Sequence, residues 1–167
     1  MQEDNNILDR SIYEDEIFMK MNTEMGNATE VEYDIYKSLL SNMMEELPFA
    51  SHKKSPDLMI TIKVSYDTML KRIEKRGRDY ELVERDPSLV EYYQRLLRHY
   101  DVWMEEYDSS PLFIIDGDKY DFVSSVADRI AVLEQIEEKL YELNKISKEQ
   151  LADLKKQHLE LLNEVGW

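Results

Sequence analysis

Five cationic side chains fall within eight positions in the run Lys71-Arg72-Ile73-Glu74-Lys75-Arg76-Gly77-Arg78, inside a chain whose formal net charge is −15. Arg72 and Arg76 are four apart and share a face if the run is helical. Guanidinium forks match phosphate oxygens two at a time. Groups of this kind stabilise the charge of a transferring phosphoryl group. The same run also reads as a solvated helix end whose cations favour the negative pole of the helix dipole. Asp9-Arg10-Ser11 is the second feature. An acid and an arginine at the carboxyl end of a strand can hold Mg²⁺ and orient a hydroxyl or a phosphate. A structural ion pair would use the same residues. Tyr13 and Asp15 follow closely, and Asp15 is either a hydrogen-bond acceptor for a base edge or a helix-surface acid. Glu81 stands three residues after Arg78. Asp116-Gly117-Asp118 reads as a turn.

These residues need elements to position them. Ile7-Leu8 reads as the end of a buried strand. A helix follows from about Ile12 into the Met19–Met25 region, and Gly26-Asn27 breaks it. Thr29 with Glu32 forms a capping box. Val31, Ile35, Leu39, Met43 and Leu47 recur every fourth residue, with Leu40 and Met44 beside them, a stripe expected to be buried. Leu58 to Val64 is a strand apolar on both parities, as in a parallel sheet covered on both faces. Ser65 or Asp67 can cap the next helix, which ends at Arg76-Gly77-Arg78. Pro87 and Ser88 open a helix with Tyr93, Leu96, Leu97, Tyr100, Trp103, Met104 and Tyr107 on its inner face. Leu112 to Ile115 is a second short buried strand. Phe122 to Leu143 reads as an amphipathic helix through Val126, Ile130, Leu133, Ile136 and Leu140. Ser147 with Gln150 repeats the capping box, and Leu151, Leu154, His158, Leu161 and Val165 then recur by threes and fours. That tail is either a helix docked on its own domain or a short coiled-coil seam. The alternation predicts an α/β domain with a parallel sheet. Ligands in such sheets sit at the carboxyl ends of the strands, where Asp9-Arg10-Ser11, Ser65 and Asp116-Gly117-Asp118 fall.

Composition narrows the function. Of 167 residues, 43% are hydrophobic and 34% charged, a balance that folds rather than one that stays disordered. The acidic charge disfavours a nucleic-acid polymer as partner, which needs a broad basic face. There is no Cys, so disulfides and thiolate metal sites are excluded, and a reducing cytoplasm suits the chain. His52, His99 and His158 are too scattered to make a ligand motif. No apolar run approaches the roughly 20 residues of a membrane helix. The acidic start, Met1 to Asn6, is unlike a signal peptide.

Together the segments NNILDRSIYEDEIF (5–18), PDLMITIKVSYDTMLKRIEKRGRDYE (56–81), YYQRLLRHYDVW (92–103) and SPLFIIDGDKYDFV (110–123) resemble the deoxynucleoside kinase family, and within it the bacterial deoxyadenosine/deoxyguanosine kinases. The resemblance implies an incomplete P-loop-kinase-like parallel sheet flanked by helices, with an extra C-terminal helix. It implies a kinase domain over residues 1–145 and a helical extension over 146–167. The implied activity is transfer of the ATP γ-phosphoryl group to the 5′-hydroxyl of a purine deoxynucleoside, with Mg²⁺ as cofactor, in nucleotide salvage. By position, Asp9 would help bind Mg²⁺. Arg10 would contact the 5′-hydroxyl region and the catalytic carboxylate. Asp15, with Tyr13 beside it, would read the base. Glu81 would contact the 3′-hydroxyl. Arg72, Arg76 and Arg78 would form a lid over the triphosphate, and Asp116, Gly117 and Asp118 the loop around the donor adenine. A homodimer through helices including 29–47 is implied as well. The chain departs from the family in one respect: it contains no Gly-x-x-x-x-Gly-Lys-Ser/Thr phosphate loop and no counterpart of the catalytic glutamate of the second strand. The expectation is an N-terminally truncated enzyme, inactive alone. A thymidylate-type nucleoside monophosphate kinase, which shares an Asp-Arg pair and an arginine lid, and a non-catalytic fragment or interaction module are the alternatives.

Overall fold

The structure, a computed structural model, describes residues 7–9, 12–45 and 55–164. The element order is α1 (Ile12–Glu24), α2 (Glu30–Glu45), β1 (Met59–Lys63), α3 (Tyr66–Arg76), α4 (Leu89–Glu106), β2 (Leu112–Asp116), α5 (Val126–Glu142) and α6 (Lys148–Glu164), with a short 3₁₀ turn at Asp79–Glu81. The fold is α/β with a parallel sheet, as the alternation of strand and helix patterns implies. The chain divides into two compact units: Met1–Lys54 with Val83–Tyr107, and Ser55–Leu82 with Asp108–Trp167.

The first unit is helical. Ile17 and Met21, one turn apart on α1, are buried, as is Tyr93 on α4, and α1 packs on both α4 and α2. Aromatic edges close this seam: Tyr13 meets Tyr107 with ring centroids 5.7 Å apart, and Phe18 meets Tyr100 at 6.4 Å. The predicted inner face of α4 from Tyr93 to Tyr107 is buried or half-buried throughout. The capping box at the start of α2 forms on both sides. The Thr29 N–H donates to Glu32 Oε2 at 2.7 Å, and the Glu32 N–H donates to Thr29 Oγ1 at 3.2 Å.

Two expectations fail in this unit. Ile7 and Leu8 are exposed and belong to no strand. The stripe expected to be buried on α2 faces solvent: Val31 is 67% exposed, Ile35 63%, Leu39 56% and Met43 47%, while Leu47 lies outside the described residues. The reason is rotational. Helix α2 meets α1 through Tyr33, Tyr36 and Leu40, which are half-buried and follow their own three-and-four spacing. The Tyr33 hydroxyl donates to Glu16 at 2.7 Å and the Tyr36 hydroxyl to Asp15 at 2.8 Å. Burial, then these carboxylates, pushes the Tyr36 phenol up to about 12.

The second unit holds the sheet. β1 pairs parallel with β2 in the register Met59↔Leu112 to Lys63↔Asp116. Backbone bonds prolong the ladder at both ends, Met59 N–H to Pro111 O at 2.9 Å and Gly117 N–H to Lys63 O at 2.7 Å. The core gathers Met59, Ile73, Ile115, Ile130 and Val132. Contrary to the reading of β1 as covered on both faces, Ile60, Ile62 and Ile114 are exposed. A sheet of two strands carries apolar residues on both parities, but the helices of this unit do not cover all of them. Helix α5 begins at Val126 rather than Phe122, because Ser125 takes the N-cap with Oγ accepting from the Asp128 N–H at 3.1 Å. Leu133, expected on its inner face, is exposed. Helix α6 packs on α5, so the tail is a docked helix rather than a seam awaiting a partner. Its capping box is formed, with the Ser147 N–H donating to Gln150 Oε1 at 2.7 Å.

Candidate functional site

The richest arrangement lies at the carboxyl ends of β1 and β2. Ser65, just past β1, caps α3 by accepting from the Thr68 N–H at 3.2 Å. At the end of β2, Asp116 turns the chain by accepting at Oδ1 from the Asp118 and Lys119 N–H groups at 3.0 and 3.1 Å. The turn brings Asp118 onto the cap, where its carboxylate accepts from the Ser65 N–H at 3.0 Å and the Ser65 hydroxyl at 3.1 Å. Hydrogen bonds from the Thr68 side chain and the Ser65 backbone hold the Asp118 carboxyl below its ordinary range. Gly117 is buried between the two connections. A Cβ there would lie 2.6 Å from Val64 Cγ1 and 3.0 Å from Lys63 O, so only glycine lets the backbones approach this closely.

Helix α3 is sewn to the 116–124 segment along its length. Arg72 Nη2 donates to Gly117 O at 2.6 Å and Tyr120 O at 3.0 Å, with its guanidinium 5.6 Å from the centre of the Phe122 ring. One turn on, the Lys75 ammonium donates to the Ser124 hydroxyl and lies 3.6 Å from Asp121. Helix α3 then ends as its sequence dictates, with Gly77 at φ 69° and its N–H on Ile73 O. The left-handed cap turns the chain into the 3₁₀ turn and carries Arg78 back toward Arg76. Glu81 receives both, Arg76 Nη2 at 2.5 Å and Arg78 Nη1 at 3.3 Å. The Arg76 and Arg78 side chains are each about half exposed, whereas that of Glu81 is 17% exposed.

The predicted site residues therefore assemble in groups. Arg72, Gly117 and Asp118 form one, with Asp116 shaping the turn. Arg76, Arg78 and Glu81 form a second in the same unit. In the other unit Asp9 is exposed, and Asp15 is exposed but oriented by the Tyr36 hydroxyl. Tyr13 is half-buried. Its carbonyl accepts from the Trp103 indole N–H at 2.9 Å, and burial, then the neighbouring Tyr107, raises its phenol. Arg10 lies outside the described residues. Sequence reasoning missed Tyr36, Tyr120 and Phe122. Tyr120 accepts from Arg72 48 residues away, which no local pattern records, and the polar tip of Tyr36 hides its packing role.

Mg²⁺ commonly takes one or two carboxylates and completes its shell with phosphate oxygens and water. Asp9 is an exposed carboxylate, an oxygen donor of the type such a shell takes. Among the described residues no group of three or more acidic, histidine or cysteine side chains could cage an ion.

The family profile described as "Deoxynucleoside kinase" matches residues 1–142. The chain belongs to the deoxynucleoside kinase family. It is 58% identical over 146 residues to a protein named deoxyguanosine kinase from Lactobacillus acidophilus, covering 87% of this chain and 64% of that protein. A deoxyguanosine kinase of Lactobacillus johnsonii is 57% identical over 145 residues, with the same coverage of 87% and 64%. A deoxyadenosine kinase of L. acidophilus is 51% identical over 146 residues, or 87% of this chain and 67% of that protein. The chain thus spans less than two thirds of the length of the two deoxyguanosine kinases. No solved structure matches it. The arginine run and the Asp-Gly-Asp turn of this family member both lie inside the matched residues. No helix among the described residues is long and apolar enough to cross a membrane.

Proposed function

We propose that this chain forms part of a deoxynucleoside kinase that transfers the γ-phosphoryl group of ATP to the 5′-hydroxyl of a purine deoxynucleoside. The observation that carries the reading is the high identity, across most of the chain, to proteins named for deoxyguanosine and deoxyadenosine phosphorylation. The geometry is compatible. Arg76 at the end of α3 and Arg78 just past its cap are half exposed and share Glu81, with Tyr80 also on Arg78, so they can exchange that carboxylate for phosphate oxygens. The 116–118 turn, held from behind by Arg72 and Ser65, offers a fixed rim for the donor base at the strand ends.

In this reading Asp15, aimed by Tyr36, accepts from the purine edge, with Tyr13 beside it. Arg10 holds the acceptor hydroxyl. Glu81, once released, takes the 3′-hydroxyl. Asp9 supplies one oxygen ligand for Mg²⁺, which neutralises phosphate charge when bound. Residues 1–145 are the kinase portion and 146–167 an appended extension that carries α6. The exposed row on α2 borders a groove of about 460 Å³ lined by Val31, Asp34, Ile35, Ser38, Leu39 and Asn42, a face suited to a second copy of the chain. The chain alone contains no phosphate loop and is expected to give no turnover.

The test is phosphorylation of deoxyguanosine and deoxyadenosine by the protein from the complete reading frame, with ATP and Mg²⁺. Arg78→Ala is expected to lower kcat at least tenfold. Turnover of dTMP in place of either nucleoside, or an Arg78→Ala enzyme with unchanged kcat, would overturn the proposal.

A further inference from the structure

Two described polar side chains are buried, and they face each other where α6 lies on α5: His158 is 5% exposed and Glu137 8%. The imidazole is the only histidine of α6. Its Nε2 is 3.3 Å from Glu137 Oε1, and its Nδ1 is 3.9 Å from Glu134 Oε1. Nδ1 and the other Glu137 oxygen are buried without a hydrogen-bond partner. Carboxylates only accept hydrogen bonds. Either neutral tautomer therefore turns one ring lone pair toward an acceptor oxygen, whereas the doubly protonated ring offers an N–H in both directions.

The remaining charges at this face come from both helices. On α5 they are Glu134, Glu137 and Glu138. On α6 the other cation is Lys155, which donates to Glu138 at 2.8 Å and whose charge also reaches Glu134 and Glu137. With the ring charged, three carboxylates face two cations; with the ring neutral they face one. A buried carboxylate that loses its counter-charge is costly. Its cost falls on the docked state alone, because in a released helix water solvates both groups.

We propose that His158 is a proton-operated latch: the charged ring fastens α6 to α5, and loss of its proton to solvent frees the helix. Docking then takes up a proton, so the docked-to-free ratio falls as pH rises, by up to about tenfold per pH unit for one linked proton. Glu137 acts in the same sense. Burial pushes its carboxyl up, with His158 opposing. The stability tied to that raised value is present at low pH and is lost as pH rises through it.

The experiment is amide hydrogen exchange of the 167-residue chain at pH 6 and pH 8, with rates normalised to intrinsic chemical exchange. Amides of residues 152–163 are expected to lose tenfold or more of their protection at pH 8, while those of β2 and the β2-facing side of α5 keep theirs. His158→Gln should leave α6 poorly protected at both pH values. Glu137→Gln removes the buried negative charge, and its α6 should differ less between the two. A ¹⁵N spectrum of the ring in the wild-type chain at pH 6 should show both nitrogens protonated. Equal protection of α6 at the two pH values, a wild-type pH dependence retained in His158→Gln, or a singly protonated ring in the docked helix at pH 6 would each overturn the latch.

Discussion

Arg72 donates through Nη2 to the carbonyl oxygen of Gly117 at 2.6 Å, so an arginine of the cationic helix spends its charge on the loop beside it. The same nitrogen reaches Tyr120 O at 3.0 Å. Arg72→Met keeps much of the aliphatic stem but leaves both carbonyls without their donor. A charge-assisted hydrogen bond contributes about 1.5–3 kcal/mol. The variant should unfold at lower urea by a shift of that order, with unchanged m-value. It should also speed hydrogen exchange at residues 117–124 before other parts of the unit.

Gly117→Ala tests the close approach of the two strand ends. The added methyl would meet Val64 Cγ1, Ile62 Cγ2 and Lys63 O at 2.6, 2.9 and 3.0 Å. Two of these atoms belong to β-branched side chains, which are stiff at χ1, and the third is backbone. Overpacking of this kind costs about 1–3 kcal/mol. A loss of that size is expected in urea or thermal unfolding. An alanine variant as stable as wild type would mean the strand ends can part freely.

How far these features were legible in the sequence depends on whether they are local. Capping boxes such as Thr29 with Glu32 and the Gly77 stop are written in neighbouring residues, and both appear as expected. The rotation of α2 was not legible. Its apolar row at 31, 35, 39 and 43 is the stronger periodic signal, yet the contact with α1 uses Tyr33 and Tyr36, whose polar tips hide their packing role. The start of α5 was misread because Phe122 and Val123 extend the apolar pattern through a turn that only the Ser125 cap terminates. At the site, residue types pointed to Arg72, Arg76 and Arg78, whereas Glu81 stood out only through the family resemblance. The diversion of Arg72 to Gly117 needs a partner 45 residues away and no local pattern records it.

Glu24 joins α1 to α4 and gives the first unit an acid-sensitive seam. Its Oε2 is 2.9 Å from His99 Nε2 and accepts from Arg95 Nη1 at 3.3 Å. Burial pushes its carboxyl up, but hydrogen bonds and charge from His99 and then Arg95 outweigh this and hold it below its ordinary value. A lowered folded value contributes stability above the unfolded titration near pH 4.3, and that stability is lost as pH falls through the folded value. The wild-type urea midpoint should therefore decline below about pH 4.5. Glu24→Gln should be less stable at neutral pH and show a shallower decline over that acid range. Parallel curves would place the acid sensitivity elsewhere.

Glu81 competes for the arginines that phosphate would need. Its carboxylate holds Arg76 and Arg78 together at 2.5 and 3.3 Å. Glu81→Gln keeps the shape and removes the charge. If the pair is held mainly by attraction, the released guanidinium groups should bind inorganic tripolyphosphate more tightly. An exposed ion pair contributes about 0.2–1 kcal/mol, so the gain should be at most about fivefold. Titration calorimetry at low ionic strength reads it, and the gain should shrink as salt is raised, because exposed charges are screened over about 10 Å at 0.1 M. The opposite outcome is also informative. Weaker binding by the glutamine variant would make Glu81 an organiser that presents both arginines at a useful spacing, and the competition would then be ruled out.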